Sequence, residues 1–261
     1  MLTDQIRAFR RKLEGGPVYG VFCKTVDPAF VEILGYAGFD YVIIDLEHGP
    51  VTIEGAQNLI RAATVAGTLP IVRTPENVPG AIGAALDIGA AGVQVPQVGT
   101  REEAAAVVHH ARFAPRGMRG VCRFVRAADY SSLERSRYFG ESNEALVICQ
   151  LEGAAAVSNL DEILDVEGLD VLFLGPYDLS QSLGVPGQVD HPRVLETMSS
   201  VVERCRSRSV AVGTFVDTPE AAYRWRQAGV RYISCSVDVG VFTQACTQLV
   251  TALRQEVPRN G

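Results

Sequence analysis

Short apolar runs recur along the 261 residues, each followed by a longer stretch in which apolar positions return every three or four residues. The runs are VYGVFCK (18–24), YVIIDL (41–46), LPIVRT (69–74), AGVQVPQ (91–97), LVICQLE (146–152), DVLFLGP (170–176), VAVGTFV (210–216) and YISCSVD (232–238). Between and after them the spacing predicts helices over 28–35, 53–66, 78–88, 101–111, 154–164, 191–208, 219–228 and 241–254. In GYAGFD, LDIGAAG and RQAGVR a helix is expected to stop at glycine just before the next buried strand. Strands alternating with helices in this way form βαβ units around a parallel sheet. Eight repeats predict a single-domain α/β chain folded as a (β/α)8 TIM barrel. A doubly wound open sheet is the alternative, but no GxGxxG follows the first strand.

One segment breaks the rhythm. Between the fourth helix and the fifth strand lies a long insertion at about 112–144, rich in Arg and Gly and containing RFAPRGMRGVCRFVRAADYSS. Long loops in compact domains are often functional, so this one is a candidate for substrate or subunit contact.

Composition narrows the partners. Hydrophobic residues make up 47% and charged residues 21%, which excludes disorder as the main state. A net charge of -6 argues against a nucleic-acid binder and leaves small molecules as the expected partners. Six cysteines without a CxxC pair read as thiols in a reducing compartment. With no run of about 18 uncharged apolar residues and no apolar core to a leader in MLTDQIRAFRRKLEGG, the expectation is a cytoplasmic protein without a membrane segment. Arginine outnumbers lysine 22 to two, and the two are Lys12 and Lys24. Chemistry that needs a lysine amine therefore has only two candidates.

Barrel enzymes carry their reactive groups where strands end, and these ends are polar. Strand two ends in Asp45-Leu46-Glu47-His48, strand three in Arg73, strand five in Glu152 and strand eight in Asp238, while strand six leads through Gly175, Pro176 and Tyr177 to Asp178. Several charges on one rim need solvent, a metal or a ligand to offset them. Glu152 and Asp178 form a pair of hard oxygen ligands suited to Mg²⁺ or Mn²⁺. Asp45, three residues before His48, is expected to orient that imidazole for proton transfer. Arg73 supplies a permanent cation for an enolate or a carboxylate.

YVIIDLEHGP, PIVRT, QLEGAAAV and FLGPYDLS, in that order and over about residues 15–245, together resemble the HpcH/HpaI aldolase family of metal-dependent (class II) pyruvate aldolases related to 4-hydroxy-2-oxoheptanedioate aldolase. The resemblance implies a divalent metal on Glu152 and Asp178, with Co²⁺ or Zn²⁺ as alternatives to Mg²⁺ or Mn²⁺. It also implies Arg73 on the keto oxygen of pyruvate, His48 with Asp45 in proton transfer, and the Gly175 to Asp178 turn around the pyruvate carboxylate. Phe22 falls where relatives line the pocket with an aromatic residue, and relatives are commonly hexamers. The expected partners are a 2-oxo acid, pyruvate or oxaloacetate, and an aldehyde, in cleavage or synthesis of 4-hydroxy-2-oxo acids through a pyruvate enolate. Two places depart from the family. Tyr177 replaces a small residue and either narrows the pocket or packs outward, and VCRFVRAADYS replaces a smaller, Gly- and Ala-rich loop, with Arg123 and Arg126 as candidates for a second substrate carboxylate.

Three alternatives stand beside this reading. The same scaffold could carry a citrate synthase, citrate lyase or malyl-CoA type of enzyme, a non-catalytic binding barrel, or a lysine-dependent aldolase acting through Lys24. Chelation and borohydride trapping discriminate the last from a metal enzyme.

Overall fold

The computed structural model describes residues 2–206, 208 and 210–255. Eight parallel strands, β1 (Val18–Cys23), β2 (Tyr41–Asp45), β3 (Leu69–Arg73), β4 (Gly92–Val95), β5 (Leu146–Leu151), β6 (Val171–Leu174), β7 (Ala211–Val216) and β8 (Tyr232–Val237), pair in chain order and close through β8 onto β1. The expected TIM barrel is therefore observed, each strand trimmed by a residue or more at its ends.

The helices in chain order are α1 (Thr3–Gly15), α2 (Pro28–Tyr36), α3 (Ile53–Ala66), α4 (Pro79–Asp87), α5 (Arg101–Ala111) and α6 (Arg135–Ser142). They continue with α7 (Ala154–Ser158), α8 (Leu160–Leu164), α9 (Pro176–Ser182), α10 (Pro192–Cys205), α11 (Pro219–Ala228) and α12 (Asp238–Arg254). The helix expected over 154–164 is two short ones meeting at Asn159, whose side-chain amide donates to the Gly99 carbonyl at 2.8 Å. The helix expected over 191–208 ends at Cys205, and position 207 lies outside the described residues. Three helices were not expected, α1, α9 and, within the insertion, α6. The apolar residues of α1 are sparse among its charges, and α9 starts on a proline directly after a strand.

Period-two alternation sorts the strand side chains. Outward residues such as Val42, Ile44, Val72, Val93, Val147 and Leu172 join the main core under the helices. Inward residues are apolar at the start of each strand and polar at its end: Tyr41, Ile43, Asp45 on β2; Leu69, Ile71, Arg73 on β3; Leu146, Ile148, Gln150 on β5. The floor is closed by α1, whose Phe9 meets Tyr41 and Tyr232 edge-on at 5.7 and 6.3 Å. Those two tyrosines stack at 4.1 Å, and Gly20 leaves them room, since a Cβ there would lie 2.2 Å from the Tyr41 ring. Apolar burial thus fills the barrel from below and leaves its upper end to polar groups.

The insertion sits at the floor, away from the strand ends. It holds a 3₁₀ turn over Arg126–Ser131 and then α6. Arg126 donates to the Ile88 carbonyl just before β4, Arg119 pairs with Asp87 at 2.6 Å, and Thr3 of α1 donates to Glu141 of α6. Helix α12 behaves unlike the others. After the buried Asp238 its residues from Val241 to Arg254 are all exposed, although Val239, Phe242, Cys246, Leu249 and Leu253 form an apolar stripe at alternating spacings of three and four. Its one aromatic contact is Phe242 against Phe30 of α2, at 5.9 Å. Among the described residues, no helix is long and apolar enough to cross a membrane.

Candidate active site

Register brings the first pair together. Asp45 ends β2 opposite Arg73 at the end of β3, and both point into the barrel. The guanidinium grips the carboxylate with two hydrogen bonds, Nε to Oδ1 at 2.8 Å and Nη2 to Oδ2 at 2.7 Å. Arg73 also lies 4.8 Å above the Phe22 ring, and its Nη1 is 3.0 Å from Glu47. Burial by itself would raise the pKa of Asp45, but hydrogen bonds and charge from Arg73 and Lys24 outweigh it and hold the carboxyl well below the usual carboxylate range.

Lys24 is the residue that follows β1. Its ammonium donates to Asp45 Oδ2 at 2.8 Å and to the His48 carbonyl at 3.3 Å. Its backbone is fixed from the other side: the buried Asp238 carboxylate accepts from the N–H groups of Lys24 and Thr25 and from the Thr25 hydroxyl. Asp238, expected only as a strand-end charge, thus ties the start of α12 to the end of β1.

An acidic wall faces this cationic one. Glu152, just past β5, accepts from the Gln97 N–H at 3.1 Å and from the Gln150 amide, itself joined to Gln94 inside the barrel. Burial, then the charges of Asp178 and Glu47, raise the pKa of Glu152. Burial, set against the Arg73 charge, likewise raises that of Glu47. Gly175 lets Glu152 lie against the β6 turn, because a Cβ at that position would come 3.1 Å from Glu152 Cγ. Tyr177 lines the rim, its hydroxyl donating to Asp217 at 2.9 Å and its ring 6.0 Å from Phe215.

These groups surround one cavity of about 300 Å³, bordered by Phe22, Lys24, His48, Arg73, Gln150, Glu152, Phe173, Gly175, Pro176, Tyr177, Asp178, Phe215, Asp217 and Val237. Asp45 stands directly behind Arg73. Of the residues expected from sequence, Arg123 and Arg126 are absent from this assembly. The Arg123 guanidinium donates to the Ser131 and Leu133 carbonyls and that of Arg126 to the Ile88 carbonyl, so both brace the insertion at the floor. The link between Asp45 and the His48 imidazole also needs correction. Asp45 is saturated by Arg73, Lys24 and the backbone N–H groups of Glu47 and His48, so Glu47, 3.8 Å from His48 Nε2, is the carboxylate beside the ring. Tyr177 lines the cavity instead of packing outward.

Gln150, Phe173, Phe215, Asp217 and Val237 were missed as cavity residues, and Glu47 as the carboxylate beside Arg73. For Glu47 and Gln150 the signal was present in DLEH and QLE, where they precede a functional position by one or two residues; Phe215 and Asp217 carry no comparable pattern. Among the described residues no set of three or more His, Cys, Asp or Glu has the arrangement of a complete metal cage. A partial one fits the donors present: the carboxylates of Glu152 and Asp178 oppose one another electrostatically, and both are hard oxygen ligands. Water or substrate oxygens would complete such a shell, as Mg²⁺ commonly requires.

Comparison with known proteins gives a consistent picture. Residues 18–245 match the family described as HpcH/HpaI aldolase/citrate lyase. A 2-keto-3-deoxy-L-rhamnonate aldolase of Escherichia coli K12 is 35% identical over 243 residues, which span 92% of this chain and 90% of that one. Among solved structures, an HpcH/HpaI aldolase/citrate lyase family protein from Burkholderia cenocepacia J2315 superposes with a TM-score of 0.91 at 34% identity, covering 95% and 99% of the two chains. The citrate synthase SbnG superposes with a TM-score of 0.82 at 31% identity, covering 94% and 97%.

Proposed function

The chain belongs to the HpcH/HpaI aldolase/citrate lyase family of metal-dependent carbon–carbon lyases, and from that premise we propose that it cleaves and forms 4-hydroxy-2-oxo acids through a pyruvate enolate and an aldehyde. The observation that carries the reading is the opposition of the Glu152 and Asp178 carboxylates to the Arg73 guanidinium across one cavity. A divalent cation, Mg²⁺ or Mn²⁺, held by Glu152 and Asp178 would polarise the 2-oxo carbonyl as a Lewis acid.

The chain's own residues do the rest. Asp45 takes two N–H groups of Arg73 and Glu47 approaches Nη1, and the N–H groups they do not engage face the C2 oxygen as it gains charge on the way to the enolate. Phe22 beneath the guanidinium keeps water from that face. The first turn of α9 leaves the N–H groups of Tyr177 and Asp178 without intrahelical partners, which suits the pyruvate carboxylate. His48, at the rim beside Glu47, moves the proton of the C4 hydroxyl in cleavage and returns it in synthesis.

The citrate synthase likeness favours a second reading, in which the same enolate adds to a keto acid such as oxaloacetate. The proposal also includes a cytoplasmic homo-oligomer, a hexamer in the fullest form, for which the uncovered apolar stripe of α12 is the support.

Retro-aldol release of pyruvate is expected to vanish on exhaustive chelation and return with Mg²⁺ or Mn²⁺, and borohydride with pyruvate is expected to trap nothing on Lys24. Activity that survives chelation, or a trapped Lys24 adduct, would overturn the metal-enolate reading. The co-product released with pyruvate separates the two readings, an aldehyde for the aldolase and a keto acid such as oxaloacetate for the second.

A further inference from the structure

Gln94 is a polar residue inside the barrel that does not border the cavity. Its neighbours along β4, Val93 and Val95, turn outward into the core under the helices, so alternation points the Gln94 side chain inward, where it is fully buried. Register sets Arg73 of β3 and Ile148 of β5 opposite it. Burying an amide at such a place costs stability unless its hydrogen bonds are met, and here they are met only in part. Gln94 Nε2 donates to Gln150 Oε1, while Gln94 Oε1 has no partner among the described residues. An apolar side chain would suit a barrel interior that holds Ile71, Ile148 and Phe173 better.

The direction of the amide chain accounts for the cost. The ionised carboxylate that a metal requires can only accept, and Gln150 presents Nε2 to Glu152 Oε1. That turns Gln150 Oε1 the other way, toward Gln94, which meets it with its own Nε2. Without a donor there, the Gln150 amide is free to turn over and set its carbonyl oxygen beside the carboxylate, two acceptors with no proton between them. The other Glu152 oxygen is held from the same strand's end. Oε2 accepts from the Gln97 N–H at 3.1 Å, and Gln97 stands at φ 55, a backbone that residues with a side chain rarely adopt. The next N–H, that of Val98, donates to the Gln150 carbonyl at 3.0 Å and ties this turn to β5. β4 and the turn after it thus fix both oxygens of Glu152, one by Gln94 through Gln150 and the other by the Gln97 backbone.

We infer that Gln94 is a positioning residue: by fixing the Gln150 amide it holds the Glu152 carboxylate in the orientation that presents it to a divalent cation. The inference rests on the metal reading of the site. Groups that orient a ligand from behind are typically worth about 10- to 100-fold in metal affinity.

The test measures binding of Mn²⁺ alone, without substrate, to the full chain, by the electron paramagnetic resonance signal of the free ion. Gln94→Met, similar in length but unable to donate, is expected to raise the Kd about tenfold. Its thermal midpoint without metal should be unchanged or higher, because the unpaired oxygen goes with the amide, whereas loss of a residue kept for packing would lower it. Gln150→Met is expected to weaken binding by at least as much. The double variant should bind no more weakly than Gln150→Met by itself, since one residue acts through the other. The inference is overturned by a Kd in Gln94→Met within about twofold of wild type, by a loss in the double variant equal to the product of the two single losses, or by weakening that comes with a fall of several degrees in the midpoint. Glu152→Ala separates the two levels. If it abolishes Mn²⁺ binding while Gln94→Met leaves it intact, only the Gln94 assignment falls; if it binds as wild type does, the metal reading falls and the inference with it.

Discussion

Asp45 carries five hydrogen bonds on two oxygens, and its removal should be felt in both stability and chemistry. Asp45→Ala leaves the buried Arg73 without its bidentate partner and is expected to cost about 3–5 kcal/mol in urea unfolding at neutral pH. The carboxyl is held below its unfolded value, so its stabilisation is complete above about pH 4 and is lost as pH falls through the folded value. The stability gap between wild type and Asp45→Asn should accordingly be larger at pH 7 than at pH 3; an equal gap at both would contradict the assigned cause. Most of these residues were legible in the sequence because a polar side chain at the end of an apolar strand stands out. Their pairing was not. Proximity of Asp45 and His48 in sequence suggested a carboxylate–imidazole contact, whereas alternation along β2 and the register with β3 direct Asp45 to Arg73 instead. Arg123 was misplaced for a related reason, since composition gives no clue to which end of a barrel a loop occupies.

Elements position these groups through close approaches that tolerate little added volume. Gly175 has φ -86 and ψ 97, which alanine can adopt, so Gly175→Ala tests space and not backbone strain. The added Cβ pushes on Glu152 and is expected to weaken Mg²⁺ or Mn²⁺ binding by roughly tenfold, measured by calorimetric titration, with the thermal midpoint little changed. At the other end of the barrel, Phe9→Ala opens a cavity under Tyr41 and Tyr232 and should cost about 3–5 kcal/mol of stability while leaving metal affinity intact. The strands and most outer helices were readable from periodicity. The floor helix α1 was not, because four buried residues among many charges, Thr3, Ile6, Phe9 and Leu13, leave a thin stripe whose purpose appears only once the barrel it plugs is in place.

The whole molecule separates stability below from chemistry above, with α12 rooted in the mouth through Asp238 and its apolar stripe uncovered. If that stripe meets a second copy, Leu249→Glu with Leu253→Glu should shift the sedimentation coefficient to a smaller species; an unchanged value would remove the support that α12 gives to an oligomer. The single-domain barrel followed from eight regular repeats, while the eighth outer helix was expected over 241–254 but its exposure was not, because periodicity registers an apolar face without saying which molecule covers it. The central claim is that Glu152 and Asp178 with Arg73 support formation of a pyruvate enolate. Proton–deuterium exchange of the pyruvate methyl in D₂O tests it most directly, because it needs no aldehyde. Exchange is expected in wild type with Mg²⁺ or Mn²⁺, and is expected to be lost both after chelation and in Glu152→Ala; exchange in Glu152→Ala equal to wild type would contradict the account.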